Sequence, residues 1–153
     1  MIHNNNISIY DCFEFNQKNE KLEDDNKIVC NKCKERCEFI YSSKIYISPN
    51  ILILLLNREI ENINDLKLDF TEAIDITPFV SKEETTQIIY DLYGVIANID
   101  TSGLSGHFIA SCKSPVDNKW YRYNDSNVSP ISNIKKDVID FGTPYILFYH
   151  KKN

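Results

Sequence analysis

Three residues in the last third of the sequence, His107, Asn124 and Asp125, have side chains suited to acid–base chemistry. An imidazole that donates one ring N–H to an amide or a carboxylate keeps its other nitrogen free to accept a proton. Such a pair of general base and orienting group serves nucleophilic catalysis. The alternative is a surface histidine beside a polar turn, without a chemical role.

The spacing of these residues indicates how they would meet. Apolar segments on both sides of the turn at 114–118 predict an antiparallel β-hairpin. If Lys113 and Lys119 face each other across the turn, His107 lies opposite Asp125, and a slip of one residue places it opposite the preceding asparagine. Directly opposed residues have Cβ atoms about 4.5–5.5 Å apart. The hairpin therefore predicts an imidazole beside an amide or a carboxylate.

A second candidate site consists of cysteines. Cys30 and Cys33 have the spacing at which two thiolates grip one zinc ion through a tight turn, but a tetrahedral site needs two further ligands. Cys37 could supply a third ligand. The pair binds no metal, belongs to a complete site within the chain, or forms a half-site that lacks its second pair of ligands. We take Cys30 and Cys33 as a metal half-site.

The remaining cysteines, Cys12 and Cys112, are predicted to be core residues. Cys12 falls on the apolar face of a short helical turn. Cys112 follows His107 by five positions in one strand, so it points to the opposite face and is a poor nucleophile candidate. An odd total of five cysteines, without a secretory signal before them, favours reduced or metal-bound thiols in the cytoplasm and/or the nucleus.

Length and composition bound the class of protein. The 153 residues suffice for one domain, and a hydrophobic fraction of 42% permits a real core. The net charge of -5 argues against nucleic acid as a partner, because nucleic acids require a basic surface. No apolar run approaches the ~18 residues that a membrane span needs, so we expect no membrane association.

The elements that would position the candidate residues are mostly strands. Alternating residues over 38–48, a continuous apolar run over 51–56 and an Ile-, Val- and Tyr-rich segment over 88–99 predict strands, the second of them buried on both faces. Residues 145–150 predict a closing strand. Ser8, with an acidic residue three positions later, predicts the capped start of a short helix. The predicted class is α+β, with mainly antiparallel β-sheet and few short helices.

Several stretches resemble, in order, the ubiquitin-specific proteases, a family of papain-like cysteine deubiquitinases. The histidine box reads Ser105-Gly-His-Phe108, followed by Trp120-Tyr-Arg-Tyr-Asn-Asp125, and it is far more specific than a lone histidine. The other matching stretches are Ile9-Tyr-Asp-Cys-Phe13, 22–33 with its paired cysteines, 47–58, 90–98 and 144–150.

The resemblance implies roles for individual residues. His107 matches the general base of the family, Asn124 takes the third position of the triad, and Asp125 is the acidic neighbour that shares or assumes that role. Asparagine is chemically adequate there, because it orients the ring without adding charge. No cofactor is needed for catalysis, and a structural zinc ion at Cys30 and Cys33 would occupy an incomplete site.

Substrate-binding residues are also implied. The resemblance assigns Ser105, Gly106 and Phe108 to the substrate side of the histidine box. The polar loop 100–105 contains small residues that would let a substrate backbone pass close to the histidine. Taken alone, such a loop is most often only a turn.

The resemblance covers a C-terminal part of the family's catalytic domain. We expect one partial domain over 1–153, with a fingers remnant at about 20–48 and a palm at about 49–151, because the family's cysteine box and helical subdomain have no counterpart. The implied function is removal of ubiquitin by hydrolysis of the bond after its C-terminal glycine. The implied partners are ubiquitin or ubiquitinated proteins and a complementary N-terminal half. The alternative is a non-catalytic fragment that binds ubiquitin or another protein.

Two further expectations follow. Without the nucleophilic cysteine, the isolated chain is expected to be inactive. In the family, the sheet packs against the helical subdomain, so one face of this apolar sheet is expected to be poorly covered and to make the isolated chain aggregation-prone or molten.

Overall fold

The structure is a computed structural model that describes residues 6–57, 67–81, 86–99 and 106–152. Its helices are α1 (Ile9–Asn16) and α2 (Ile134–Phe141), with 3-10 turns at Asp24–Asn26 and Thr77–Phe79. In chain order, the strands are β1 (Asn6–Ser8), β2 (Glu20–Leu22), β3 (Ile28–Val29), β4 (Arg36–Cys37), β5 (Phe39–Tyr41), β6 (Ile51–Leu55), β7 (Lys67–Asp69), β8 (Ala73–Asp75), β9 (Ile89–Asn98), β10 (Phe108–Lys113), β11 (Trp120–Asn124), β12 (Asn127–Ile131) and β13 (Thr143–Lys151).

A seven-stranded sheet forms the body of the fold. Six strands lie in the order β12-β11-β10-β9-β13-β6, and β8 also pairs with β9. All of these pairings are antiparallel. Two short ladders, β2 with β5 and β3 with β4, lie along the chain before the sheet, and β1 pairs in parallel with β7. The predicted class, α+β with mainly antiparallel sheet, is confirmed.

The hydrophobic core covers one face of this sheet. Alternation along the strands turns every second side chain towards it, and residues of β7, of the segment that follows it and of α2 complete it. The residues that are less than 2% exposed there include Phe70, Ile74, Tyr90, Val95, Ile134 and Leu147. Tyr149 is also buried, and its hydroxyl donates a hydrogen bond to the Thr71 carbonyl over 2.9 Å, which satisfies the polar group.

The other face of the sheet, which we call the outer face, carries exposed apolar side chains. The prediction that residues 51–56 are buried on both faces is wrong. Strand β6 is an edge strand, and Ile51, Ile53 and Leu55 on its outer face are 43%, 57% and 71% exposed. The continuous apolar run arises because Leu52 and Leu54 pack against the core while their neighbours point outwards.

Helix α1 begins as predicted. Ser8 Oγ accepts a hydrogen bond from the backbone N–H of Asp11, and the Asp11 carboxylate accepts one from the backbone N–H of Ser8, which completes a capping box. The prediction that Cys12 belongs to the core is wrong, because the buried residue of this helix is Ile9 and Cys12 is exposed.

Other segments differ from the predictions. Strand pairing within 38–48 is limited to β5, and Ile45 forms only an isolated bridge with Val80. Helix α2 was not predicted, because it is only eight residues long and a pattern of two turns gives a weak helical signal; Ile134 and Val138 are its buried residues. Within the described ranges, no helix is both long and apolar enough to cross a membrane.

Candidate functional site

The predicted hairpin that carries the candidate residues is present as β10 and β11. Lys113 lies opposite Trp120, and Ala110 lies opposite Tyr123. The register therefore differs by one residue from the predicted pairing of Lys113 with Lys119. The turn explains the difference. The backbone N–H of Ser114 donates to the carbonyl of Lys119, so Lys119 lies opposite Ser114 and the loop is one residue shorter than predicted.

The displaced register still brings His107 to Asn124. Continued beyond β10, it makes Asn124 a diagonal neighbour of His107 on the same face, and diagonal side chains of this length can meet. His107 Nε2 lies 2.7 Å from Asn124 Oδ1 and 3.9 Å from the nearer carboxylate oxygen of Asp125. Asp125 follows the strand at a positive φ of 50°, and 79% of its side chain is exposed. His107 is thus within hydrogen-bonding reach of Asn124, one of the two partners that the sequence predicted.

This hydrogen bond fixes which ring nitrogen of His107 is free. Asn124 Oδ1 can only accept a hydrogen bond, so Nε2 must carry the proton. In the neutral ring, Nδ1 then has an unshared electron pair and can accept a proton from an incoming group. The His107 side chain is 42% exposed, so such a group can reach it.

The backbone at His107 is held by the neighbouring strand. The N–H of Ile99, the residue after β9, donates to the His107 carbonyl over 2.9 Å. The pairing of Phe108 with Asn98 continues the same ladder. His107 thus stands at the end of a ladder that anchors its main chain, while its ring lies across the mouth of the β10–β11 hairpin.

The three residues assigned to the substrate side are distributed differently. Gly106 is exposed and directly precedes His107. Phe108 points to the outer face, away from the His107 ring, where it is 47% exposed and meets Tyr145 edge-on with 5.3 Å between the ring centroids. Ser105 and the rest of the loop 100–105 lie outside the described residues.

The chain's thiols lie elsewhere. Cys112 is on the face of β10 opposite to His107, and burial raises the pKa of its thiol, although it is only half-buried and not the core residue that the sequence predicted. Cys12 lies on α1, and the other three cysteines lie in or beside the β3–β4 ladder. Among the described residues, the site therefore offers a general base and an orienting amide without a neighbouring nucleophile.

Three cysteines form a separate cluster. The sulfur atoms of Cys30, Cys33 and Cys37 lie within 4.8 Å of one another, and those of Cys33 and Cys37 are 3.5 Å apart. A tight turn brings them together: the N–H of Lys34, at a positive φ of 65°, donates to the carbonyl of Cys30. The N–H of Cys30 donates in return to the carbonyl of Glu35.

The electrostatics of this cluster differ from thiol to thiol. Hydrogen bonds from the backbone N–H groups of Cys33 and Lys32 lower the pKa of Cys30, because they stabilise its thiolate. The hydrogen bond to Cys33 raises the pKa of Cys37. Such an arrangement can hold a metal ion. It offers three thiol ligands, one more than the half-site of Cys30 and Cys33 predicted from the sequence.

Cys37 is the residue that sequence reasoning left outside the predicted half-site. Its spacing of four residues from Cys33 was noted but is not by itself a metal-binding spacing. The turn between β3 and β4, with Lys34 at a positive φ, brings Cys37 to the other two cysteines, and a lysine gives no sequence signal of that conformation.

The comparisons with known proteins identify a family. The sequence profile of the family described as "Ubiquitin carboxyl-terminal hydrolase" matches residues 4–149. Ubiquitin carboxyl-terminal hydrolase 2 of Bos taurus is 34% identical over 149 residues, which cover 94% of this chain and 24% of that protein. The Gallus gallus protein of the same name is 32% identical over 94% of this chain and 40% of its own length. The chain thus spans about a quarter to two fifths of these relatives.

Solved structures give the same result. The SAGA deubiquitinating (DUB) module Ubp8/Sgf11/Sus1/Sgf73 bound to ubiquitin aldehyde superposes with a TM-score of 0.76 and 27% identity, over 97% of this chain and 35% of that chain. A variant of the same module bound to monoubiquitin gives a TM-score of 0.77 and 28% identity, over 95% and 33% of the two chains. With its histidine box folded as a hairpin and nearly all of its length matched, the chain belongs to the ubiquitin carboxyl-terminal hydrolase family, as a C-terminal portion of a ubiquitin-specific protease domain.

Proposed function

We propose that this chain supplies the base and the orienting residue of a cysteine-type deubiquitinase. The observation that carries the proposal is the 2.7 Å hydrogen bond between His107 Nε2 and Asn124 Oδ1, which leaves Nδ1 free for a thiol. The substrate is ubiquitin joined through its C-terminal glycine to an amine. The nucleophilic cysteine comes from a segment outside these 153 residues, in the same polypeptide or in a partner.

The reaction follows from that arrangement. His107 Nδ1 takes the thiol proton, and the thiolate attacks the carbonyl carbon of the C-terminal glycine. The protonated ring then gives its proton to the departing amine nitrogen, which leaves a thioester. Water attacks the thioester after His107 removes a proton, and the carboxylate and the thiol are released. Asn124 keeps the ring oriented throughout and adds no charge.

The relatives support this proposal. The neighbouring Ubp8 structures are bound to ubiquitin aldehyde and to monoubiquitin, and this chain covers only about a third of the Ubp8 chain. About two thirds of the Ubp8 chain thus has no counterpart in these 153 residues, and a segment of that kind would supply the nucleophilic cysteine. We therefore include ubiquitin and a complementary N-terminal half among the partners, and we place the protein in the cytoplasm or the nucleus, where thiols stay reduced.

The chain alone is expected to be inactive. With ubiquitin carrying a fluorogenic amide at its C terminus, the purified 153 residues should release no dye above the buffer rate, because none of the described thiols is placed to be activated by His107. Addition of an N-terminal half that bears the family's cysteine box should restore turnover. Turnover by the chain alone that disappears in His107→Ala would show that the nucleophile lies within it.

A non-catalytic role is the second candidate function. The observation that favours it is the position of Cys112 on the face opposite to His107. A ubiquitin-binding module would bind ubiquitin and show no turnover with any N-terminal half. The genomic DNA before the first codon discriminates directly, because an upstream cysteine box in frame supports the enzyme and its absence supports the module.

For the cysteine cluster, we propose a zinc ion held by three thiolates, with the fourth position taken by water or by a ligand outside the described residues. Zinc prefers tetrahedral thiolate coordination, and the sulfur positions of Cys30, Cys33 and Cys37 fit three corners. The ion would tie β3 to β4 and would take no part in catalysis.

The chain should therefore bind one zinc ion, more weakly than a four-thiolate site. In a competition titration with a chromophoric chelator, Cys30→Ser and Cys37→Ser should each weaken zinc binding by about tenfold or more, because a ligand is lost. Cys112→Ser is the matched control and should have no effect, since its thiol lies on the sheet. Equal zinc affinities for Cys37→Ser and the unsubstituted chain would show that Cys37 is not a ligand and that the site is the half-site of two cysteines.

A further inference from the structure

The end of α2 touches β11, which carries Asn124, and the end of β9, which holds the main chain of His107. Its last residue, Phe141, covers the guanidinium of Arg122 on β11, with 3.7 Å between the Arg122 Cζ and the ring centroid. The next residue, Gly142, approaches the backbone at the end of β9. Two successive residues thus connect the strand that bears Asn124 with the strand that holds the main chain of His107.

The first connection is made by Arg122, two positions before Asn124 on β11. Arg122 and Asn124 are two positions apart on β11, so their side chains share one face. The Arg122 side chain is only 15% exposed, and its Nη2 also lies 3.5 Å from a carboxylate oxygen of Asp137 on α2. The Phe141 ring, which is itself 54% exposed, and the Asp137 carboxylate contact the guanidinium from two sides. Helix α2 therefore holds the end of β11.

The second connection depends on the absence of a side chain. A Cβ at position 142 would lie 2.6 Å from the Asn98 carbonyl oxygen and 3.0 Å from Ile99 Cγ2. The φ of Gly142 is 178°, an extended conformation open to any residue, so the constraint is space and not backbone strain. A backbone oxygen cannot rotate away as a side chain can. Any residue other than glycine would force the end of β9 and the chain at position 142 apart.

That displacement would reach His107. The N–H of Ile99 donates to the His107 carbonyl, and Asn98 pairs with Phe108 and with Thr143. The segment that Gly142 approaches is therefore the one that anchors the main chain of His107. A shift of a few tenths of an ångström there acts directly on a hydrogen bond of 2.7 Å, whose strength falls steeply with distance and angle.

We propose that Phe141 and Gly142 are positioning residues for the His107–Asn124 pair, and that they act by fixing β11 and the end of β9 relative to each other. The catalytic meaning of this assignment rests on the proposed function, whereas the geometry does not. Phe141 sets the position of Asn124 through Arg122, and Gly142 sets the position of His107 through Asn98 and Ile99.

The experiment follows the Nε2–H proton of His107 by NMR in the 153-residue chain labelled with 15N-histidine, with Ile53→Lys present in every sample to reduce association through the outer face. The resonance is assigned by its loss in His107→Gln. A hydrogen-bonded ring N–H exchanges more slowly with water than a free one. In Gly142→Ala, we expect exchange about tenfold faster, with the amide protons of β9 and β13 still protected. Gly94→Ala is the matched control on β9, because its Cβ would meet only the Phe148 side chain at 3.4 Å.

A second variant decides the case if Gly142→Ala does not fold. Phe141→Leu keeps an apolar side chain at the end of α2 and removes the aromatic face from Arg122. It should speed the exchange of the His107 ring proton by about threefold or more. Ile139→Ala, at a 40% exposed position of the same helix, should leave it unchanged.

Exchange at the unsubstituted rate in a folded Gly142→Ala chain, or in Phe141→Leu, would overturn the proposal. Because the readout needs no turnover, it is independent of the proposed function. A reconstituted enzyme that never cleaves ubiquitin would sink the proposed function and leave the positioning assignment standing.

Discussion

His107→Ala is expected to reduce kcat/KM of the reconstituted enzyme by about 10³–10⁴-fold, because general base catalysis by a positioned side chain contributes about 10²–10⁴-fold and this ring serves both halves of the reaction. Such a loss corresponds to about 4–5 kcal/mol of transition-state stabilisation. The measurement is initial-rate cleavage of the fluorogenic ubiquitin substrate with saturating N-terminal half. His150→Ala, at an exposed position near the end of β13, is the matched control and should be neutral.

The orienting residue should matter less than the base. Asn124→Ala keeps the imidazole but removes the acceptor that lies 2.7 Å from Nε2. The ring is then free to move, and a catalytic group misplaced by about 1 Å loses about 10²-fold in rate. Asp125→Ala alone should have little effect, because its carboxylate is 3.9 Å from the ring and 79% exposed.

Combining the two substitutions tests whether Asp125 can replace Asn124. If the carboxylate takes over when the amide is lost, the double variant should lose more activity than the product of the two single losses. Losses that simply multiply would show that Asp125 is a bystander. An Asn124→Ala enzyme as slow as His107→Ala would instead mean that orientation, and not proton transfer alone, limits the reaction.

The second large effect concerns the outer face of the sheet. The isolated chain should bind a dye that reports apolar surface and should associate as its concentration rises, because exposed apolar patches of more than a few hundred Å² favour association. At about 25 cal/mol per Å², ~500 Å² of uncovered apolar surface forgoes roughly 12 kcal/mol, an upper bound comparable to the net stability of a domain. Exposed apolar residues run across this face from Ile51, Ile53 and Leu55 to Tyr93, Phe108, Tyr123 and Val128.

One substitution tests whether association occurs through the outer face and not through exposed apolar residues elsewhere. Ile53→Lys places a charge on both the edge strand and the outer face, and it should raise the concentration at which half of the chain is associated by about tenfold, or ~1.4 kcal/mol. Val116→Lys is the control, since Val116 is 92% exposed but lies in the β10–β11 turn. Sedimentation over a concentration series measures both. A chain that stays monomeric and binds no dye would show that the outer face needs no cover, and the case for a complementary half would weaken.

Local sequence determined several elements correctly, for physical reasons that act over a few residues. The capping box at Ser8 is a contact between positions three apart, so it can be predicted without any tertiary structure. The strand predicted over 88–99 is found as β9, because β-branched and aromatic residues at alternating positions leave few other conformations. The turn at 114–118 likewise predicted the hairpin of β10 and β11, since strands so close in sequence pair with little loss of chain entropy.

Other features depend on which strand or helix packs against a segment in the folded chain. The run at β6 is apolar throughout, and nothing in it distinguishes a central strand from an edge strand; pairing with β13 on one side only made it an edge. Cys12 was expected in the core because it falls on the apolar face of a helical turn, and Cys112 because it points away from His107 and free cysteines are often buried. Burial depends instead on what packs against each face. Helix α2 carries only two buried positions and is stabilised by its contacts with the sheet.

For the candidate site, the sequence by itself determined the residue types and brought His107 to the mouth of a hairpin near Asn124 and Asp125. Tertiary structure decided which of the two accepts the hydrogen bond. The β10–β11 turn shifts the register by one residue, and Asp125 lies in the following turn, between β11 and β12, at a positive φ and largely exposed. The amide, and not the carboxylate, therefore meets the ring. Only the folded chain shows Phe141 against Arg122 and Gly142 against the end of β9, because contacts across more than a dozen residues depend on packing and leave no periodic signal in the sequence.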